Sequence, residues 1–260
     1  MKYSIISRGD DFSKQIEDYL HQRLNDISMK NDQEDPDLVI TVGGDGTMLK
    51  AVHQYLNKIS KVVFVGVHTG KLGFYTDFIH DDLDSFVDKI EKNTYNDVSF
   101  PLLTAYVCNK THCIQYYALN EMTLINPFHT QHIDVFINDE YFESFQGTGL
   151  CISTPSGSSA YNKSLGGALL HPDIKAFQMT EIGSINNRVY RTISSPMIFP
   201  KEHFLTLKAK DFNEVTLTID HMHRNLHSFE YIKLMLSDKF VRFRQYDDND
   251  FWSRVHKSFL

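Results

Sequence analysis

Apolar positions are spaced differently in the two halves of this chain. Over the first hundred residues, short apolar runs alternate with stretches of helical period. Residues 3–6 form one run, and after Gly9, Asp10 and Asp11 come Phe12, Ile16, Tyr19, Leu20, Leu24 and Ile27. The run 38–42, entered by Pro36 and closed by Gly43 and Gly44, is followed by Met48, Leu49, Val52, Tyr55 and Leu56. A third run, 62–67, precedes Leu83, Phe86, Val87 and Ile90 at offsets of three, four and seven. Strands alternating with helices predict a parallel sheet with right-handed crossovers. From about residue 100 the pattern changes. Stretches rich in Val, Ile, Phe, Tyr and Thr follow one another at 102–107, 116–125, 133–137, 141–145, 215–219 and 240–243 without helix-length spacers. This half reads as mostly antiparallel β, with Asn138-Asp139 as a hairpin turn between two alternating runs.

Composition narrows the class without naming a function. With 260 residues, 42% hydrophobic and 23% charged, the chain can bury a core without disulfides or a structural metal. The 26 Lys and Arg against 33 Asp and Glu give a net charge of -7, which disfavours broad affinity for nucleic acid or an anionic membrane. No apolar run approaches the ~18 residues of a membrane span, and the first residues contain no secretory h-region. Cys108, Cys113 and Cys151 are odd in number and lack CxxC spacing, so neither a disulfide framework nor a zinc pair is expected, and a reducing cytoplasm fits.

The chemistry concentrates at Gly43-Gly44-Asp45-Gly46-Thr47, between a predicted buried strand and a predicted helix. Free backbone N–H groups and the helix dipole at such a turn favour an anion. The glycines permit close approach, and Thr47 adds a hydroxyl. A carboxylate in a phosphate cradle repels its ligand unless it binds a metal ion or takes a proton from the attacking hydroxyl, so Asp45 is a candidate base. The plainer reading is a strand-to-helix turn capped by Asp45. There is no G-x-G-x-x-G. Residues 66–72 imitate a Walker loop but are one residue short and lack Ser or Thr after Lys71, which reads as solvated. Glu121 can accept two hydrogen bonds from a ribose diol, and Asn120 can donate to and accept from an adenine edge, although this dipeptide is more often a solvated turn. Pro155 and Gly157 suit a tight turn, Ser159 and Ser164 can bond a base or ribose, and Tyr161 can stack. His221, His223 and His227 fit solvent-facing strand and turn positions as well as a metal site, and no zinc is expected.

Gly-Gly-Asp-Gly-Thr resembles the signature shared by NAD kinases, diacylglycerol and sphingosine kinases and, more loosely, 6-phosphofructokinases. The segments from Thr69 to Phe74, Leu119-Asn120-Glu121, Thr154 to Tyr161 and Ser184 to Arg188 are similar to the successive NAD kinase motifs, in order. The resemblance implies a Rossmann-like α/β domain over 1–100, a C-terminal β-sandwich-type domain over 101–246, and a segment 247–260 packing back on the first. It implies a transferase, a kinase that phosphorylates the 2′-hydroxyl of the adenosine ribose of NAD to give NADP. ATP or polyphosphate would be the donor, with Mg²⁺ or another divalent ion held mainly by the donor phosphates. It further implies a homodimer or homotetramer whose neighbours help complete the NAD pocket, with Tyr190 reaching across. Gly43, Gly44, Gly46 and Thr47 would form the donor loop. Substrate contacts would fall at Asp45, Gly46, Asn120, Glu121, Gln146, Thr148, Ser159, Ala160 (through its backbone), Tyr161, Asn162, Lys163, Ser164, Gly183 and His221.

One stretch departs from the family pattern. Residues 145–149 carry Gln146 and Thr148 where many bacterial members have Arg and Asp, which removes a cation and a carboxylate together. Two other functions stay open from sequence. One is a lipid kinase of the diacylglycerol or sphingosine type, against which the acidic charge and adenosine-reading motifs argue. The other is a catalytically weak NAD-binding regulator, which Gln146 and Thr148 motivate.

Overall fold

The structure is a computed structural model that describes residues 1–70, 73–210, 212, 214–246 and 250–260. Lys71 and Leu72, singled out in the sequence, lie outside the described residues, as does the start of the C-terminal segment at 247–249. The chain forms two compact units, residues 1–100 with 239–260 and residues 101–238. Residues 239–246, expected with the second domain, therefore cluster with the first.

The first unit begins β1 (Lys2–Ser7), α1 (Asp11–Asp26), β2 (Lys30–Asn31), β3 (Leu38–Val42), α2 (Asp45–Gln54), β4 (Val63–His68), β5 (Phe78–Ile79) and α3 (Leu83–Lys92). Strands β2, β1, β3 and β4 lie side by side and parallel, and β5 pairs parallel with the end of β4. Every residue of β3 and β4 is buried, which is why both read as continuous apolar runs rather than alternating ones. Ile16, Leu20 and Leu24 of α1, together with Phe86, Val87 and Ile90 of α3, pack against Tyr3, Ile5, Ile40 and Val65 in one core. Asp10 caps α1, its Oδ1 accepting the Ser13 N–H at 3.1 Å. Helix α2 stops at Gln54, before the apolar spacing ends. Tyr55 turns away and donates its hydroxyl to Ser4 Oγ at 2.9 Å.

Strand β6 (Asn96–Cys108) leads into the second unit, which contains β7 (Cys113–Ala118), β8 (Glu121–Ile125), β9 (Gln131–Ile137), β10 (Glu140–Gly147), β11 (Gly149–Ser153), α4 (Tyr161–Ser164), β12 (Ala176–Ile182), β13 (Met197–Pro200), β14 (Phe204–Ala209), β15 (Thr216–Ile219) and β16 (Met222–Asn225). Strand β17 (Tyr231–Gln245) starts in this unit and ends in the first, where Arg242 and Phe243 pair parallel with Val63 and Phe64. One sheet runs β13-β12-β11-β8-β15-β16, all antiparallel. Opposite it β10, β9, β14 and the first part of β17 pair antiparallel, and β6 pairs with β7. Their inward residues alternate, as with Met122 and Leu124, Ile133 and Val135, Leu205 and Leu207, Leu217 and Ile219, and Ile232 and Leu234. All join one core, so the unit is a sandwich.

Three local readings need comment. Asn138 and Asp139 make the β9–β10 turn with φ of 50° and 68°, the left-handed pair that a two-residue hairpin requires. The run 116–125 is two strands rather than one, because a side chain from β15's turn takes the backbone amides at 119–121. Cys108 and Cys113 are joined by a disulfide, contrary to the sequence expectation. They face each other in the β6–β7 register with Cα atoms 4.1 Å apart, a proximity set by the hairpin and invisible to spacing rules. Cys151 is free and buried, and burial pushes its thiol pKa up. No helix among the described residues is long and apolar enough to cross a membrane.

Candidate active site

In the first unit the glycine loop follows β3. Gly44 is the N-cap of α2 and Asp45 its first residue, so Asp45 does not cap the helix as the plainer sequence reading had it. Its carboxylate turns to another loop instead. Oδ2 accepts the Phe74 N–H at 2.9 Å and Oδ1 the Tyr75 N–H at 3.0 Å. Both oxygens are held, which fixes the group's direction. Two glycines make this possible. A Cβ on Gly73 would run into the Asp45 carboxylate, and one on Gly43, whose φ is 155°, would meet the Thr47 hydroxyl. Gly43 N–H bonds the Val67 carbonyl at 2.9 Å, tying the loop to β4, while Gly46 is exposed at the surface. Thr47 N–H donates to the Gly44 carbonyl at 2.9 Å, while the Asp45 and Gly46 N–H groups ahead of it are ones a helix leaves without an internal acceptor, chemistry that favours an anion.

In the second unit the acidic centre is Glu121, at the start of β8. It is 9% exposed, and its Oε2 is buried with no hydrogen-bond partner. Burial, reinforced by the Asp220 carboxylate and opposed by the Tyr161 backbone N–H, pushes its pKa up to about 8. Asp220 was not foreseen. It stands in the turn between β15 and β16 at φ of 51°, and its Oδ2 accepts the Leu119 N–H at 2.8 Å. Its Oδ1 accepts the N–H groups of Asn120 at 2.8 Å and Glu121 at 3.3 Å. The only local hint was an Asp flanked by two short alternating runs, directly before His221. His221 follows it in the same turn and is exposed.

The Thr154–Tyr161 stretch closes over the same backbone. Thr154 Oγ1 donates to the Leu119 carbonyl at 2.6 Å and accepts the Gly157 N–H at 3.0 Å, and a Cβ on Gly157 would strike the Asn120 backbone. Ser159 is buried, with its hydroxyl 3.3 Å from the Ser156 carbonyl. Ala160 is half-buried, and Tyr161, Lys163 and Ser164 on α4 are exposed, their side chains on the outer surface of this turn. Asn162, read from sequence as a substrate contact, lies on the same short helix. It is fully buried, with its amide committed to the Ser158 carbonyl at 3.2 Å and to the Thr180 hydroxyl at 2.8 Å, so it braces the turn from within.

Gln146, Thr148 and Gly183 come together at the other end of β11. Ile185 N–H bonds the Gln146 carbonyl at 2.8 Å, Thr148 N–H bonds the Ile182 carbonyl at 2.9 Å, and a Cβ on Gly183, at φ of 56°, would lie 2.8 Å from Thr148 Oγ1. Glu121 pairs with Ser153 while Gly149 pairs with Ile125, so the two clusters are about 13 Å apart along the strands at ~3.3 Å per residue. That span suits a ligand with two separate ends. Among the described residues no three His, Cys, Asp or Glu side chains gather as a metal cage.

The family model for the ATP-NAD kinase N-terminal domain matches residues 10–95, and that for the ATP-NAD kinase C-terminal domain matches residues 119–246. NAD kinases of Staphylococcus carnosus (strain TM300) and Staphylococcus aureus (strain Newman) are each 42% identical over 266 aligned residues, covering 100% of this chain and 98% of theirs. In fold, the chain is similar to yeast NADH kinase complexed with NADH (TM-score 0.86, 20% identity, 99% of this chain and 87% of that one). It is also similar to the Archaeoglobus fulgidus NAD kinase in complex with ATP (TM-score 0.77, 19% identity, 99% of each).

Proposed function

The chain belongs to the NAD kinase family, and from that premise we propose that it moves the terminal phosphoryl group of ATP to the 2′-hydroxyl of the adenosine ribose of NAD. The lipid-kinase alternative falls away, because family models match both halves. The observation that carries the substrate reading is Glu121 Oε2, a buried carboxylate oxygen left without a donor in a turn built from Asn120, Ser159 and Tyr161. A ribose diol supplies the missing donors.

The two units divide the work. The second holds adenosine, with Glu121 on the ribose, Asn120 and Ser159 near the base, and Tyr161 and His221 at its margins. Gln146, Thr148 and Gly183 receive the nicotinamide end. The first unit supplies the α2 amides for the donor phosphates and Asp45 for the proton. As the 2′-oxygen attacks phosphorus, Asp45 accepts its hydrogen and the loop amides stabilise the equatorial oxygens. A divalent ion held on the donor phosphates would neutralise their charge. Exposed Tyr141, Val189, Tyr190 and Ile193 favour self-association as a dimer or tetramer.

The test is NADP formation from Mg-ATP and NAD, read through a dehydrogenase that accepts only NADP. Asp45→Asn keeps the shape and removes the base, and is expected to slow turnover at least ~10²-fold with NAD affinity retained. Absence of NADP from the unaltered protein refutes the activity, and near-normal turnover in the variant refutes the role of Asp45.

A further inference from the structure

Helix α5 (Phe251–Phe259) carries one polar side chain that is almost completely buried, Arg254, at 3% exposure. Its guanidinium reaches back 177 to 181 positions to the loop that grips Asp45. Nη1 donates to the Gly73 carbonyl at 3.2 Å and to the Thr76 carbonyl at 2.6 Å, and Nη2 donates to Asp77 Oδ1. Asp77 is itself buried, its side chain only 6% exposed. The Gly73 carbonyl and the Phe74 N–H belong to one planar peptide unit. On one side that plane accepts from Arg254, and on the other it donates to Asp45 Oδ2 at 2.9 Å. The plane between Thr76 and Asp77 is held in the same way, its carbonyl by Arg254 and its N–H by the Gly66 carbonyl of β4 at 3.0 Å.

Phe74 reinforces the arrangement, its ring lying 6.1 Å from Phe251 and 5.8 Å from Phe259. Asp250 caps the helix, accepting the Ser253 N–H at 2.6 Å, so Arg254 projects from the first turn of a fixed element. We infer that Arg254 is a positioning residue for the phosphoryl transfer. It fixes the two peptide planes of the 73–77 loop, and through them the direction of the Asp45 carboxylate. This rests on Asp45 being the base. The planar fork matters as much as the charge, because three acceptors in different directions are met by one rigid group.

Arg254→Lys tests it, keeping the charge and losing the fork. Relative to the unaltered enzyme, kcat is expected to fall about 10- to 100-fold while KM for NAD and for ATP stays within about threefold, the signature of a misdirected reacting group rather than lost binding. The decisive comparison places the substitution in an Asp45→Asn background. There it is expected to change the residual rate by less than about twofold, because no base remains to be aimed. Wild-type kcat in Arg254→Lys overturns the inference, as does an equal loss in both backgrounds, which would mark general structural damage. If Arg254→Lys does not fold, Asp77→Asn serves in its place, with a smaller loss of kcat and the same unchanged KM expected. Wild-type kcat there overturns the inference. An Asp45→Asn enzyme as fast as wild type would instead sink the assignment of the base.

Discussion

The two acidic centres are built on opposite plans. Asp45, in the first unit, has both carboxylate oxygens satisfied by the backbone before any ligand arrives. Glu121, in the second, is more deeply buried, has one oxygen without a donor, and titrates near 8. A group that must receive a proton in one direction benefits from being held still in advance. A group that must recognise hydroxyls benefits from being left unsatisfied, since a ligand hydroxyl then supplies a partner that the protein does not. If the proposed roles hold, preorganisation serves chemistry here and incompleteness serves recognition.

Gly73→Ala attacks the first plan most directly. Its Cβ would enter the space of the Asp45 carboxylate, and kcat is expected to fall ~10²-fold in steady-state assays while NAD binding stays unchanged. An effect on NAD affinity alone would erase the contrast. Glu121→Gln attacks the second plan, and calorimetric NAD affinity should drop about tenfold or more, the scale of a lost charge-assisted hydrogen bond. It should also remove a pH dependence. The free carboxyl stays protonated up to about pH 8, and the diol prefers the ionised form, so affinity in the unaltered protein should rise with pH below that point.

Stability moves the other way. Because the folded pKa of Glu121 is raised, its contribution is fully present below the unfolded value of 4.5 and is lost as pH rises through about 8. Thermal unfolding of the ligand-free Gln variant should therefore be flatter across that window. Asp220→Asn is the mildest change. It removes the carboxylate that reinforces burial in raising the Glu121 pKa, and the affinity profile should slide to lower pH while burial keeps it above the ordinary carboxylate range.

Much of this was legible from residues alone. Buried parallel strands wrote themselves as unbroken apolar runs, α1 as a helical stripe, and the Asn138-Asp139 turn as two residues tolerant of positive φ. The glycine loop and the order of the motifs singled out Asp45 and Glu121 for the roles proposed above. What escaped was tertiary. Asp220 acts on residues about a hundred positions away, and Arg254 on a loop nearly twice as far, so neither leaves a local trace. Cys108 and Cys113 meet because of a strand register, and a bond that holds the Asn162 amide inside its turn comes from a strand 18 positions on, which polarity alone does not reveal.

The chain route has a consequence for synthesis. Residues 101–238 are inserted, along the sequence, between the two segments 1–100 and 239–260 that make the other unit. On a ribosome, the inserted portion can complete its sandwich core while the α/β portion still lacks the strand end bearing Arg242 and Phe243 and the closing helix. On the roles proposed above, the unit carrying Glu121 is complete before the loop that holds Asp45 is fastened, and a polypeptide released before the closing helix should still bind NAD but turn it over poorly, which binding and rate measurements on the truncated chain would check.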